Sequence, residues 1–233
     1  MQIKMGADCV VRNEDGNILL IKREDFRFWT IPGGATEAGE SPAQAAAREA
    51  FEESGVEVVV DALVGIYTPR NGSTLMFVYA AHPIGGAPHP TAESLDSRYF
   101  APQSIPRRML GVHRQRLFDA LSSERCLYRC QPKPFWMNVV FPPLLRVRKW
   151  RNQRQGHPEP PVIRHSVIVR GELTNNGSGN LTFEIEPQFG APIWETLRAS
   201  AEQLTGEPLA VTRLIDVDDT ANPIVIRFAL QHR

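Results

Sequence analysis

The sequence has few cysteines, no net charge and no long hydrophobic run, and each absence argues against a class of protein. Its 233 residues include three cysteines, Cys9, Cys126 and Cys130, which are too few for a disulfide framework. The 26 basic and 26 acidic side chains cancel, so no general charge draws the chain to nucleic acid or to an anionic membrane. No segment approaches the roughly 20 apolar residues that span a bilayer. We therefore predict a cytoplasmic protein with reduced thiols and with neither nucleic acid nor membrane as a partner.

The pair Cys126 and Cys130 leaves two interpretations open. A C-x3-C spacing can belong to a metal site, but a zinc site needs further ligands and no second pair follows. Simple packing explains the two thiols at least as well.

Two segments with globular patterning flank a stretch that is rich in proline and in basic residues. We assign residues 1–125 to a first domain, 126–161 to a linker with an apolar middle at 135–145, and 162–233 to a second domain. The basic run at 146–154 could bind nucleic acid or a polyphosphate, although a solvated connector is the simpler interpretation.

The first segment shows the signals of strands followed by a helix. The Asp15-Gly16 step predicts a hairpin between strands 7–12 and 17–22. Ser41 and Gln44 form a capping box, and Gly55 is placed to end the helix that they begin. The predicted elements after the hairpin are a helix at 42–54, strands at 56–67, 74–81 and 98–100, and a helix at 113–121.

The second segment repeats this order in weaker form. It predicts strands at 165–170 and 181–185, a helix at 192–204 and strands at 209–217 and 223–230. A diverged internal duplication and chance similarity both remain open. The helix keeps Glu195 and Glu202 but no cluster of acids, so we expect this half to be catalytically silent. It could cover the first site, form a homodimer face, bind a ligand or simply pack.

Three glutamates on the first helix have no structural reason to be together. Glu49, Glu52 and Glu53 are spaced i, i+3 and i+4 and so share one face, where their charges repel. The opposite face, with Ala47, Ala50, Phe51 and Ser54, is predicted to pack on a sheet. Hard divalent cations prefer clustered carboxylates, and the preceding Gly33-Gly34 lets backbone approach a ligand closely.

The whole string from Gly34 to Val56 resembles the Nudix box, G-x5-E-x7-R-E-U-x-E-E-x-G-U, with Ala50 at a position where a larger aliphatic residue is common. The resemblance extends over about residues 7–122. It implies an α/β fold, a Nudix-type α/β/α sandwich with a mixed sheet, here followed by a smaller α+β domain. It also implies a pyrophosphohydrolase that uses Mg²⁺ or Mn²⁺ to cleave a nucleoside diphosphate linked to another group.

The resemblance also implies roles for individual residues. Metal ligands would be Glu49, Glu52, Glu53 and the Gly34 carbonyl, and Glu40 and Arg48 would support them. In several members of the family a loop glutamate binds metal or acts as base; Glu93 is the candidate here, with Asp96 second. Glu53 and Glu93 are the two candidates for the base that activates water.

The substrate is not determined by these residues. Arg27 and Trp29 could contact a nucleotide base, and Arg70 could contact a phosphate, although Trp29 fits a core position equally well. Two other functions compete with hydrolysis. A nucleotide-sensing regulator would use the basic run at 146–154, and an assembly subunit would use residues 162–233 as its contact surface.

Overall fold

The protein is described here as a computed structural model. Its described residues are 2–25, 27–122, 126–131, 164–175, 179–187, 190–219 and 223–233. The apolar middle at 135–145 and the basic run at 146–154, both predicted within the linker, lie outside these residues.

Among the described residues, the first half of the chain supplies eight strands and two α-helices. They are β1 (Gln2–Val11), β2 (Ile18–Arg23), β3 (Trp29–Thr30), β4 (Gly33–Ala35), α1 (Pro42–Ser54), β5 (Val56–Thr68), β6 (Thr74–Gly86), β7 (Ser94–Phe100), a 3₁₀ turn (Pro102–Ser104), α2 (Gly111–Leu121) and β8 (Leu127–Cys130). The second half supplies β9 (Arg164–Asn175), β10 (Gly179–Ile185), α3 (Ile193–Thr205), β11 (Leu209–Asp218) and β12 (Ile224–His232).

Strands from both halves form a single mixed sheet of nine strands. Its main order is β11-β12-β9-β1-β6-β5-β8, with β10 paired to β9 and β4 paired to β1. A second sheet, β3-β2-β7, belongs to the first half alone. The predicted α/β fold with a mixed sheet is confirmed, and the structure adds that the second half continues the sheet of the first.

Each half contains the same succession of strand pairings. In the first half β1 runs parallel to β6, which is antiparallel to β5. In the second half β9 runs parallel to β12, which is antiparallel to β11. The two units meet where β1 and β9 pair antiparallel. In the first unit α1 lies in sequence between β4 and β5, and in the second unit α3 lies between β10 and β11.

The helices α1 and α3 contribute to one apolar core. This core joins Ala46 and Ala50 of α1, alternate residues of β1, and Leu197 and Ala201 of α3. A separate core lies around Leu20, Tyr67 and Leu117 and includes residues of β1, β2, β5, β6 and α2. In the first half, the main sheet is therefore covered on both faces.

The two ends of the strand order contact each other through Tyr128 of β8. Its hydroxyl donates to the Val211 carbonyl of β11 at 2.7 Å, and its ring lies 5.1 Å from Trp194 and 5.4 Å from Phe228, measured between ring centroids. Tyr128 lies near the start of the stretch 126–161 that the sequence predicts as a linker. Residues 127–130 form a strand parallel to β5, and Tyr128 packs there against aromatic residues of the second half.

Most predicted elements of the first half are present with small changes at their ends. The helix at 42–54 is confirmed, while β5 and β6 extend beyond the predicted strands at 56–67 and 74–81. The predicted packing face of α1 is wrong in part: Phe51 is half exposed, whereas Ala46 is buried beside Ala50. A stripe at i, i+4 faces the sheet, so the face lies further round the helix than predicted.

In the described part of the chain, no helix is long and apolar enough to cross a membrane.

Candidate active site

Helix α1 is defined at both ends by local chemistry. The Ser41 side chain accepts a hydrogen bond from the Gln44 N–H, and the Gln44 side chain accepts one from the Ser41 N–H. Pro42 occupies the first turn, where its missing N–H has no intrahelical partner to lose. At the other end Gly55 is left-handed, with φ 76°, and its N–H donates to Phe51. These caps fix which residues of α1 face the sheet and which face the loops.

Three glutamates from two elements converge beside this helix. Carboxylate oxygens of Glu49, Glu53 and Glu93 all lie within 4.8 Å of one another. Glu53 is buried, with 5% of its surface exposed, the Glu49 side chain is 12% exposed, and Glu93 is exposed. Three oxygen donors of this kind, closed on one side and open on the other, fit a Mg²⁺ or Mn²⁺ ion that keeps room for water and substrate.

The backbone of β4 reaches the cluster because it carries glycine at two positions. A Cβ on Gly34 would lie 2.2 Å from Glu49 Oε1, and a Cβ on Gly33 would lie 2.3 Å from Asp8 Oδ1. The Gly33 N–H donates to Glu53 Oε2 at 2.8 Å. The Gly34 carbonyl, predicted as a metal ligand, lies beside Gly6 of β1.

Arg48 ties the loop before α1 to the helix. Its guanidinium donates to both Glu40 oxygens at 2.8 and 3.1 Å and to the Ala35 carbonyl at 3.0 Å. It also binds Glu49 at 3.0 Å and Glu52 at 2.7 Å. Glu40 and Arg48 thus have the geometry of structural supports. Glu52, predicted as a ligand, pairs with Arg48 four residues earlier and lies outside the three-glutamate cluster.

Glu93 reaches the cluster because its loop is fastened to the end of α1. The His89 N–H donates to the Ser54 carbonyl at 3.0 Å, and Thr91 Oγ1 accepts from the Glu93 N–H at 3.1 Å. Asp96, the second candidate in this region, lies in β7 and forms an ion pair with Arg98. Between the two acids, the structure therefore brings only Glu93 to the cluster.

Burial and mutual repulsion weaken the acidity of the cluster. Burial raises the pKa of Glu49 to about 7, although Arg48 opposes the change. Burial likewise raises the pKa of Glu53 to about 8, against the hydrogen bond from Gly33. Glu40 behaves differently: its burial is outweighed by hydrogen bonds from Arg48 and from the Glu37 N–H, which lower its pKa. Arg48 beside Glu49 and Arg23 beside Glu53 therefore supply too little positive charge to offset the burial of these two carboxylates.

The three residues predicted to contact the substrate have different surroundings. Arg27 is exposed and has a left-handed backbone with φ 52°. Trp29 is half-buried, with its ring edge-to-face against Phe100 at 4.8 Å and with cations of Lys22 and Arg98 over it. Arg70 is exposed in the turn between β5 and β6.

Sequence reasoning missed Arg23, at the end of β2. Its guanidinium lies 4.0 Å from Glu53 Oε1 and is hydrogen bonded to Asp25 at 2.9 and 3.0 Å. The strand pattern offered no signal for this residue, because its approach to α1 depends on how the two sheets pack.

A buried ion pair behind β4 was also missed. Arg116 of α2 donates to Asp8 Oδ2 at 2.6 Å and to Gln131 at 2.9 Å. His113 lies 3.5 Å from the same Asp8 oxygen, and burial lowers its pKa to about 4. This group links β1, α2 and the residue after β8. It requires contacts between residues more than a hundred positions apart, which no local pattern predicts.

The zinc interpretation of Cys126 and Cys130 finds no support in the described residues. Residue 130 ends β8 and residue 126 immediately precedes it. Four residues along a strand span about 13 Å, too far for two thiolates to share one ion. Both thiols are free.

Comparison with known proteins identifies the family. The NUDIX domain model matches residues 3–121. A MutT-like protein of Streptomyces ambofaciens is 39% identical over 115 residues, covering 49% of this chain and 74% of that protein. A putative 8-oxo-dGTP diphosphatase of Bacillus subtilis (strain 168) is 31% identical over 115 residues, covering 49% of this chain and 77% of the relative. The crystal structure of a NUDIX hydrolase from Nitrosomonas europaea superposes with TM-score 0.52 and 26% identity over 57% of this chain and 81% of that one.

The chain therefore belongs to the NUDIX family, as the string from Gly34 to Val56 predicted. The family model ends at residue 121, so strands β9 to β12 lie beyond it.

Proposed function

We propose that the protein is a divalent-metal-dependent hydrolase that cleaves the pyrophosphate bond of a nucleoside diphosphate linked to another group. The observation that carries this proposal is the convergence of Glu49, Glu53 and Glu93 on one point. The names of the relatives, one of them a putative diphosphatase of a nucleotide, support the reaction class.

The metal would be held by these three carboxylates. A bound Mg²⁺ or Mn²⁺ would neutralise charge on the diphosphate and lower the pKa of water. The Gly34 carbonyl and Glu52 remain proposed ligands, and Glu52 would have to leave Arg48 to take that role.

One glutamate accepts the proton from the attacking water. A bond forms between the water oxygen and phosphorus, the bridging phosphorus–oxygen bond breaks, and the leaving phosphate departs with the other group. Glu53 is held in place by the Gly33 N–H and is buried, whereas Glu93 is exposed and open to water. Both remain candidates for the base, because each is within reach of the same point.

One cation beside the cluster suits an anionic substrate. Arg23 lies beside Glu53, and we propose Arg27 and Arg70 as contacts to the substrate on account of their exposure. Trp29 remains a proposed base contact, although its packing against Phe100 also gives it a structural role.

We propose that residues 162–233 form a degenerate copy of the first domain and have no catalysis of their own. The repeated pairing of strands supports common ancestry. No carboxylate group like that of α1 exists among the described residues of this half.

A substrate panel with metal titration tests the proposal. The full chain is incubated with ADP-ribose, dinucleoside polyphosphates and nucleoside triphosphates, including oxidised guanine nucleotides, with Mg²⁺ or Mn²⁺, and nucleoside monophosphate is quantified. We expect release that depends on metal and is abolished by chelation. Absence of turnover across the panel with both metals, in protein that binds Mn²⁺, would contradict the proposal.

A further inference from the structure

The edge of β1 opposite β6 is shared by two strands placed end to end. Strand β9 pairs with residues 2–4, where Ile3 faces His165. Strand β4 pairs with residues 6–8, where Gly6 faces Ala35 and Asp8 faces Gly33. The second half thus begins its sheet pairing at the point where the glycine strand of the active site ends.

A side-chain hydrogen bond closes the joint between these two strands. Thr36, the residue after β4, has its Oγ1 2.6 Å from His165 Nε2. Thr36 is 4% exposed, and its N–H donates to the Met5 carbonyl at 3.3 Å. Met5 is the β1 residue between the two paired stretches, so this threonine is fixed from β1 and from the second half together.

The segment that Thr36 ends carries two contacts that orient the glutamates. The Gly33 N–H holds Glu53, and the Ala35 carbonyl holds Arg48, which in turn binds Glu49. A displacement of Thr36 would move both contacts, since only three peptide bonds separate Thr36 from Gly33.

We propose that His165 is a positioning residue for the active site, and that the second half holds the glycine strand in register through the His165–Thr36 hydrogen bond. The second half would then be part of the catalytic unit rather than an appended domain. This inference rests on the proposed function in that the positioned group is its metal cluster.

The test measures metal affinity separately from turnover, in the full chain. Mn²⁺ affinity is determined from the electron paramagnetic resonance signal of free Mn²⁺ for wild type, Thr36→Val, His165→Leu and the double variant. Thr36→Val keeps the shape of the side chain and removes only the hydroxyl. Groups that orient metal ligands contribute about 10- to 100-fold to affinity or activity. For a residue one step further out we expect a smaller effect, roughly three- to tenfold weaker binding.

Two further features separate positioning from general stability. Thr36→Ser and His165→Gln keep a hydrogen-bonding group in place and should stay within about twofold of wild type. The double variant should lose no more than the larger single loss, because both substitutions break one bond. With an active substrate, kcat should fall while KM changes by less than about twofold.

His232→Gln, which removes an exposed histidine paired with Glu207 at 2.7 Å, is the matched control and should match wild type.

Wild-type Mn²⁺ affinity and kcat in folded Thr36→Val and His165→Leu would overturn the proposal, as would losses that add independently. If His165→Leu does not fold, Thr36→Val still tests the same hydrogen bond, because it removes the hydroxyl partner of His165. Because Mn²⁺ affinity does not require turnover, failure of the hydrolase proposal leaves this test able to decide.

Discussion

Helices α1 and α3 occupy matching places in the two halves, yet among the described residues only α1 contributes to a cluster of acids. Both end at a left-handed glycine, Gly55 and Gly206, with φ 76° and 74°. Counted back from these glycines, the same three positions are buried in each helix: Pro42, Ala46 and Ala50 in α1, and Ile193, Leu197 and Ala201 in α3. The two helices therefore share one buried stripe at these three positions.

The same count shows where the two helices differ. Glu49, Glu52 and Glu53 correspond to Ser200, Gln203 and Leu204. Glu53 is 5% exposed, whereas Leu204 is 74% exposed. In the first half the glycine strand and the loop with Glu93 cover this position. The comparison teaches that the packing face and the chemical face of such a helix can diverge independently.

The largest effect should come from Glu53→Gln. Whether this residue binds metal or takes the proton, the amide cannot replace it, and we expect turnover to fall by about 10²- to 10⁴-fold. Activity on the best substrate of the panel measures the loss, and circular dichroism checks the fold. Leu204→Gln at the matching position of α3 should leave turnover unchanged; equal losses in both variants would break the comparison.

The next effect concerns stability and pH. Burial raises the folded-state pKa of Glu49 and Glu53 from 4.5 to about 7 and 8, so the folded state binds protons more tightly than the unfolded chain. Their contribution to stability is therefore present below pH 4.5 and is lost as pH rises through about 7 and 8. In the metal-free protein, Glu53→Gln should flatten this decline.

Metal should reverse that decline at high pH. At a concentration 100 times its Kd, Mn²⁺ adds about 2.7 kcal/mol, or a Tm increase of about 5–10 °C for a chain of this size. We expect this increase at pH 8 and little at pH 5, where protons compete for the carboxylates. Thermal unfolding with and without Mn²⁺ measures it, and an equal increase at both pH values would contradict the assignment.

A smaller effect should distinguish Arg48 from Arg198. Arg48 holds two loop groups and two helix glutamates, so Arg48→Met should cost about 1–3 kcal/mol of unfolding free energy and roughly tenfold in activity. Arg198 pairs only with Glu195 and Glu202 of its own helix among the described contacts. Arg198→Met should cost at most about 1 kcal/mol and no activity. Denaturant unfolding and the hydrolysis assay measure both, and equal costs would show that Arg48 is no special support.

The smallest effect is expected when the three glutamates of α1 are introduced at the matching positions of α3. The triple variant Ser200→Glu, Gln203→Glu and Leu204→Glu restores the acids to α3, but the described residues there offer no equivalent of Glu93 or of Gly33-Gly34. We expect no additional Mn²⁺ equivalent, and stability changes of about 0.5 kcal/mol per site. Mn²⁺ stoichiometry measures the outcome, and a second bound equivalent would show that the helix face alone is sufficient.

Local features of this protein could be predicted from sequence, and distant pairings could not. Helix α1 begins and ends where Ser41, Gln44 and Gly55 placed it, because capping depends on neighbours within a few residues. The pairing of β1 with β9 and the contact of Tyr128 with Trp194 join residues far apart in sequence, and no periodicity reports them.

The residues of the candidate site also fall into those that the sequence could predict and those that it could not. The Nudix box predicted Glu49, Glu53 and the pairing of Glu40 with Arg48, since these residues share a helix or the loop before it. The box could not predict that Glu52 lies outside the cluster, because its position depends on the Glu52 side chain turning toward Arg48. Arg23 and the Asp8–Arg116 pair were missed since they depend on tertiary packing.

The division of the β1 edge between β4 and β9 also has a consequence for the order of events during synthesis. Lys4 pairs with Arg164, so its edge stays open until 160 further residues have been made, roughly 10–30 s at ribosomal rates. An open strand edge can pair with another chain, and charged lysine is one device that discourages this. Lys4 is exposed at that edge, where it would protect the nascent first half until the second half arrives.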